Sequence, residues 1–105
     1  MAILQTVELT RPSVDVKLFG FSEEGKLYND VFNRIQKKYI DSGQLISKAQ
    51  NRTANELTFS YAFLWKSKED FDSYNNEEEL KTAFAVRKTY EHKFNITRKV
   101  TSVEV

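Results

Sequence analysis

The stretch Glu56–Tyr74, ELTFSYAFLWKSKEDFDSY, decides the architecture. Its first half alternates without interruption: Leu57, Phe59, Tyr61, Phe63 and Trp65 on one side, Thr58, Ser60, Ala62 and Leu64 on the other. Successive side chains of a strand point to opposite faces, so this is a β-strand with one strongly aromatic face. The second half turns at once to helix-start chemistry. Ser67 can cap the residues after it, and Asp70 stands three positions on, the spacing of a capping box.

The totals set limits around this stretch. A chain of 105 residues holds one domain, 1–105, and buries roughly two-thirds of the surface it exposes unfolded. Eight Phe, five Tyr and one Trp supply a core, while three Gly and one Pro argue against disorder. The 16 Lys and Arg against 15 Asp and Glu leave a net charge of +1, which gives no global pull toward nucleic acid or anionic membrane. With no cysteine, disulfides, thiolate catalysis and Cys-based metal sites are excluded. The opening MAILQTVELT lacks the basic region and apolar core of a secretory signal. No apolar run approaches the roughly 20 residues a membrane span needs. The expectation is a cytoplasmic protein.

Taken in order, Ile3–Thr10 reads as a first strand with Ile3, Val7 and Leu9 on one face, interrupted by Gln5. Pro12 cannot donate to a ladder and ends it. Ser13–Phe21 reads as an extended connection that pairs locally. Ser22 caps a helix with Glu23 and Glu24 in its first turn, where carboxylates suit the positive terminus. Tyr28, Val31, Phe32, Ile35 and Tyr39 form its apolar stripe, Asn29, Asn33, Gln36 and Lys37 its polar face, and Gly43 stops it. Leu45–Gln50 is a second strand, joined to the aromatic one through the polar run Asn51–Asn55. A short helix over Lys68–Tyr74 follows. Asn76 is then expected to cap another helix, with Glu79 at the reciprocal position and Leu80, Ala83, Phe84, Tyr90 and Phe94 buried. Arg87 and Glu91 share that side at its margin. Thr97–Val105 closes the chain as a strand.

Strand–helix–strand–strand–helix–strand is the split βαβ order of an α+β, ferredoxin-like βαββαβ fold: a four-stranded antiparallel sheet with two main helices on one face. Right-handed crossovers put the first and third strands in the middle. Phe59, Tyr61 and Phe63 are then expected beneath the helices, touching Phe32, Ile35 and Phe84.

Few constellations carry chemistry. His92 is the only imidazole and lies away from its helix's apolar stripe, so it reads as a solvated residue. A metal cluster lacks ligands, and no metal or other cofactor is expected. The carboxylate groups Glu23–Glu24, Glu69–Asp70–Asp72 and Glu77–Glu78–Glu79 all fall at helix starts, where capping and the helix dipole account for them. No glycine-rich phosphate loop and no nucleophile elbow is present. The aromatic row is similar in outline to RNA-recognition motifs, which stack bases on such residues. Glu56-Leu57-Thr58-Phe59, however, lacks the glycine and preceding basic residue of their third strand.

The run Phe63–Phe71 resembles the third-strand-to-helix junction of the dimeric α+β barrel superfamily. Trp65, Ser67, Glu69 and Phe71 match its W-x-S-x-E-x-F pattern, and the βαββαβ order covers most of the chain. That superfamily includes antibiotic-biosynthesis monooxygenase-like domains and haem-degrading enzymes. The resemblance implies a homodimer whose sheets face each other around a pocket. Haem-degrading members combine an early-strand Asn, this Trp and a His on the following helix; only Trp65 has a counterpart here.

The resulting expectation is a homodimeric α+β barrel-like binding or accessory protein for a small molecule or protein partner. Trp65, Ser60 and Ala62 are its candidate ligand residues. Thr58, Ser60, Ala62 and Leu64 are its candidate dimer face. The alternatives are a cofactor-independent monooxygenase-like enzyme with a sheet-lined pocket near Trp65, and a nucleic-acid binder using Lys37, Lys38, Lys48 and Arg52.

Overall fold

The computed structural model describes residues 1–105. In order, the chain forms β1 (Ile3–Thr10), a single 3₁₀ turn (Phe19–Phe21), α1 (Glu23–Asp41), β2 (Leu45–Arg52), β3 (Thr58–Trp65), α2 (Lys68–Asn75), α3 (Glu78–Lys93) and β4 (Thr97–Glu104). The sheet order is β2-β3-β1-β4, every pair antiparallel. The first and third strands are central and the fold is ferredoxin-like, as the aromatic stretch implied. No helix is long and apolar enough to cross a membrane.

Register sorts every strand residue onto one of two faces. In the β1–β3 ladder Ile3 lies opposite Trp65, Gln5 opposite Phe63, Val7 opposite Tyr61 and Leu9 opposite Phe59. This is the face the helices cover. The other carries Leu4 opposite Leu64, Thr6 opposite Ala62 and Glu8 opposite Ser60. β2 begins on the covered face with buried Leu45, then slips by one residue between Leu45 and Ser47. The slip leaves Ile46 exposed and turns Lys48 and Gln50 toward the helix side.

Two apolar clusters hold the layers together. One gathers Ile3, Ile35, Tyr39, Leu45, Tyr74 and Leu80 around Trp65, which is 1% exposed. Its rings meet edge to face: Tyr39 lies 5.9 Å from Trp65 and 5.4 Å from Tyr74. The second joins Val7, Leu9, Leu18, Phe19, Tyr90 and Ile96. Phe59, Tyr61 and Phe63 face the helices as expected, but each is only half-buried. Phe63 touches both clusters, whereas Phe59 and Tyr61 pack against the second alone.

Local chemistry departs from expectation at three places. Ser13–Phe21 pairs with no strand; it turns, and its 3₁₀ segment drives Leu18 and Phe19 into the core. Ser22 and Ser67 cap as expected, accepting from the Gly25 and Asp70 amides at 2.9 and 3.2 Å. Asn76 does not cap α3. It closes α2 instead, its side-chain amide donating to the Asp72 carbonyl at 2.8 Å, and the α3 cap is Glu77 without a side-chain bond. The reason is that α2 runs one residue further than its apolar pattern, leaving Asn76 within reach of the last-turn carbonyls. Glu79, freed from a capping box, pairs with Arg34 of α1. Gln36, assigned to the polar face of α1, is half-buried and donates to the Tyr74 hydroxyl at 3.2 Å.

Candidate functional site

The helix-covered face of the sheet stays partly open at its β1–β4 side. Val100, on that face of β4 opposite Val7, remains 48% exposed. The gap is a cleft of about 900 Å³ floored by Gln5, Val7, Phe63, Trp65 and Val100 and roofed by α1, α2 and α3. Phe32, Phe71, Tyr74 and Phe84 complete an aromatic wall. A drug-sized molecule fits such a volume.

Polar groups enter this wall at few points. Gln5, which broke the apolar pattern of β1, accepts the indole N–H of Trp65 at 3.2 Å. A buried indole needs such a partner, which explains a glutamine on the covered face. Gln36 links Tyr74 to Lys48, whose ammonium donates to the Gln36 carbonyl oxygen at 3.1 Å. The Tyr74 hydroxyl therefore accepts from Gln36 and keeps its own hydrogen to give. Burial pushes the Tyr74 phenol above its ordinary value, so it stays a neutral donor.

The charged side of the cleft belongs to α3 and β4. Glu91, 6% exposed, binds the Arg98 guanidinium through two contacts of 2.9 Å. Arg87, one turn before Glu91, is half-buried with its guanidinium 4.8 Å from the Phe84 ring centroid and 5.6 Å from that of Phe32. Burial first, then the nearby charge of Arg98, pulls its pKa down to about 10. The guanidinium remains a cation at neutral pH. Lys88 and His92 stand exposed at the mouth.

Of the residues the sequence nominates for a ligand, Trp65 lines the cleft; Ser60 and Ala62 lie on the opposite face of the same strand, beside Glu8 and Thr6. The three do not converge. Thr58, Ser60, Ala62 and Leu64 do share one face, with Leu4, Thr6, Ser47, Ala49, Thr101 and Val103 around them. No three His, Asp or Glu side chains come together in a metal-binding set. The basic residues considered for nucleic acid are engaged internally: Lys37 with Asp41, Lys38 with Glu77, Lys48 with Gln36 and Arg52 with Glu56. Sequence reasoning placed Arg87 at a helix margin and missed its position in the cleft. The available signal was two charges, Arg87 and Glu91, on the buried side of one helix.

A four-stranded ferredoxin-like sheet with an aromatic cleft beneath its helices defines an architecture rather than a reaction. The chain matches no known protein family and no curated protein by sequence. Solved structures do share its fold. SnoaB, a cofactor-independent oxygenase from Streptomyces nogalater, superposes with a TM-score of 0.63 at 8% identity, over 99% of this chain and 92% of that one. A dimeric ferredoxin-like protein from an uncultured marine organism gives 0.64 at 19% identity, over 100% and 94%. A Caulobacter crescentus protein provisionally assigned as an antibiotic biosynthesis monooxygenase gives 0.58 at 9%, over 98% and 89%. At such identities the likeness is one of fold.

Proposed function

We propose that this chain is a homodimeric small-molecule-binding protein that takes a planar, largely apolar ligand into the cleft beside Trp65. The observation that carries the reading is the cleft itself. About 900 Å³ opens against an aromatic wall in a chain of 105 residues, a volume within the range of small-molecule sites. Convergent polar groups at Gln5, Tyr74 and Arg87 give such a pocket means to orient what enters. The uncharged centre of the open sheet face serves as the contact with a second copy, an assembly in keeping with the dimeric ferredoxin-like protein that shares the fold.

Binding without chemistry is the leading role. The one imidazole is exposed at the mouth of the cleft, and the phenol of Tyr74 is held protonated. Neither is placed as a strong general base. The second reading, a cofactor-independent oxygenase, draws on the fold shared with SnoaB and requires a substrate that itself yields electrons to dioxygen.

Thermal shift and Trp65 fluorescence across a panel of bicyclic and tricyclic aromatics test the binding reading. Saturable quenching with a raised melting temperature is the expected result, and a flat response across the panel removes it. Oxygen uptake with any hit separates the two roles.

A further inference from the structure

The cleft holds one charge that the fold leaves unanswered. Glu91 stands four residues after Arg87, a spacing that commonly gives an ion pair along a helix. Its two oxygens are instead committed to Arg98. Arg87 makes no ion pair or hydrogen bond with any protein group, and the nearest faces offered to its guanidinium are the rings of Phe84 and Phe32. An unpaired cation among apolar side chains is costly unless something compensates it. The rim adds Lys88, and Glu91, the only carboxylate in the lining, is neutralised by Arg98. The field inside the cleft is therefore positive.

Tyr74 and Arg87 line the same cleft, and the Tyr74 hydroxyl, which accepts from Gln36, keeps its hydrogen free to donate. A guanidinium fork matches a carboxylate with two parallel hydrogen bonds. A dianion finds only one unpaired cation within the walls. Building on the proposal that the cleft binds a small molecule, we infer that its ligand is an aromatic carboxylate. The ring lies against the half-buried Phe63 and Phe71, the carboxylate pairs with Arg87, and the Tyr74 hydroxyl donates to it. The competing account gives Arg87 no ligand and has it merely cover Phe84 by cation–π contact and by its methylene stem.

Isothermal titration of the whole protein with 2-naphthoate and with the uncharged 2-naphthamide tells these apart. The wild type is expected to prefer the acid by about tenfold or more, the scale of one charge-assisted contact. Arg87→Met should weaken the acid far more than the amide and so abolish that preference, and Lys88→Ala should keep it. Arg87→Lys, which retains charge without the fork, should give an intermediate preference and serves as the variant should Arg87→Met lose its fold by circular dichroism. Equal affinities for the two probes in the wild type, or an undiminished preference for the acid in Arg87→Met, overturn the inference and leave the binding cleft standing. No binding of either probe overturns both.

Discussion

Glu91 passes over Arg87, its neighbour one turn earlier on α3, and clasps Arg98 of β4 with contacts of 2.9 Å from each carboxylate oxygen. The path between helix and strand makes this possible. Asn95 takes a left-handed conformation (φ 57°), and the Ile96 amide returns to the Glu91 carbonyl at 2.8 Å. These contacts fold β4 back so that Arg98 arrives on the covered face beneath Glu91. Asparagine tolerates such a backbone better than most residues.

Removing Glu91 should therefore do more than remove a bond. Glu91→Ala leaves Arg98 and Arg87 facing each other without an anion, and should cost about 3 kcal/mol, the low end for breaking a buried pair. Replacing both partners, as Glu91→Leu with Arg98→Met, should recover most of that loss. Urea melts of the single and the double variant check this. A single-variant loss below about 1 kcal/mol would show solvent screening the pair as at an open surface.

This pair also marks where the sequence stops being legible. Strand β3, the stripe of α1 and the strand order follow from alternation, helical spacing and crossover handedness, all local or nearly local signals. The cleft does not. Whether Glu91 turns to Arg87 or to Arg98 depends on how β4 docks, and spacing along α3 favours the wrong partner. Gln5 is similar: it reads as a flaw in β1 until Trp65 supplies the donor it accepts from. The slip in β2 and the extra residue of α2 were invisible because one residue changes which side chain reaches a carbonyl without changing composition.

The start of α1 should be the most sensitive helix end. Ser22 is buried; its hydroxyl accepts from the Gly25 amide and donates to the Phe19 carbonyl at 2.7 Å. Ser22→Ala should cost about 0.5–2 kcal/mol. At Gly25 a β-carbon would sit 1.6 Å from the Phe19 carbonyl oxygen. Gly25→Ala should accordingly cost at least the roughly 1–3 kcal/mol of overpacking, despite alanine's better helix propensity. Chemical denaturation that ranks Gly25→Ala as stabilising would contradict this close approach.

Acid should weaken the junction between α1 and α3. Lys38 first, then the Tyr39 hydroxyl, hold the Glu77 carboxyl below its ordinary value. A lowered folded pKa means that the unfolded chain binds more protons in that range, so stability rises with pH there. The contribution is complete above the ordinary carboxylate range of about 4.5 and is lost as pH falls through the lower folded value. Glu77→Gln should flatten the fall in melting temperature below about pH 4.5 and leave a smaller difference between pH 5 and 3 than in the wild type.

Aromatic truncations should scale with enclosure rather than ring size alone. Trp65→Ala should cost about 3–5 kcal/mol, since Trp65 is all but fully enclosed. Phe59 is half-buried with the Arg11 guanidinium 5.3 Å from its centroid, so Phe59→Ala should cost only about 1–2 kcal/mol. Equal losses in denaturant melts would mean that the open end of β3 is covered in solution, as a bound ligand or a partner chain would do.

Assembly follows from the other face of the same strand. Its central rows run Val103, Leu4, Leu64, Ser47 and Thr101, Thr6, Ala62, Ala49, with no charge among them. The next row places Lys99 beside Glu8, a complementary pair rather than a repulsive one. Four strands about 4.8 Å apart and eight residues long make a face of roughly 19 by 27 Å. Two such faces laid together bury on the order of 1,000 Å², the lower bound for a specific interface. A twofold axis lets one patch serve both copies, and it sets Ala62 near the centre of the contact. Light scattering at micromolar concentration should give the mass of two chains, with Ala62→Glu shifting it to one by bringing two carboxylates into the middle of an uncharged patch. The same substitution leaves the cleft on the far side of the sheet untouched, so a monomeric variant should still bind there. A wild-type mass of one chain, unchanged by Ala62→Glu, would establish the open face as a hydrated surface of the kind antiparallel sheets tolerate.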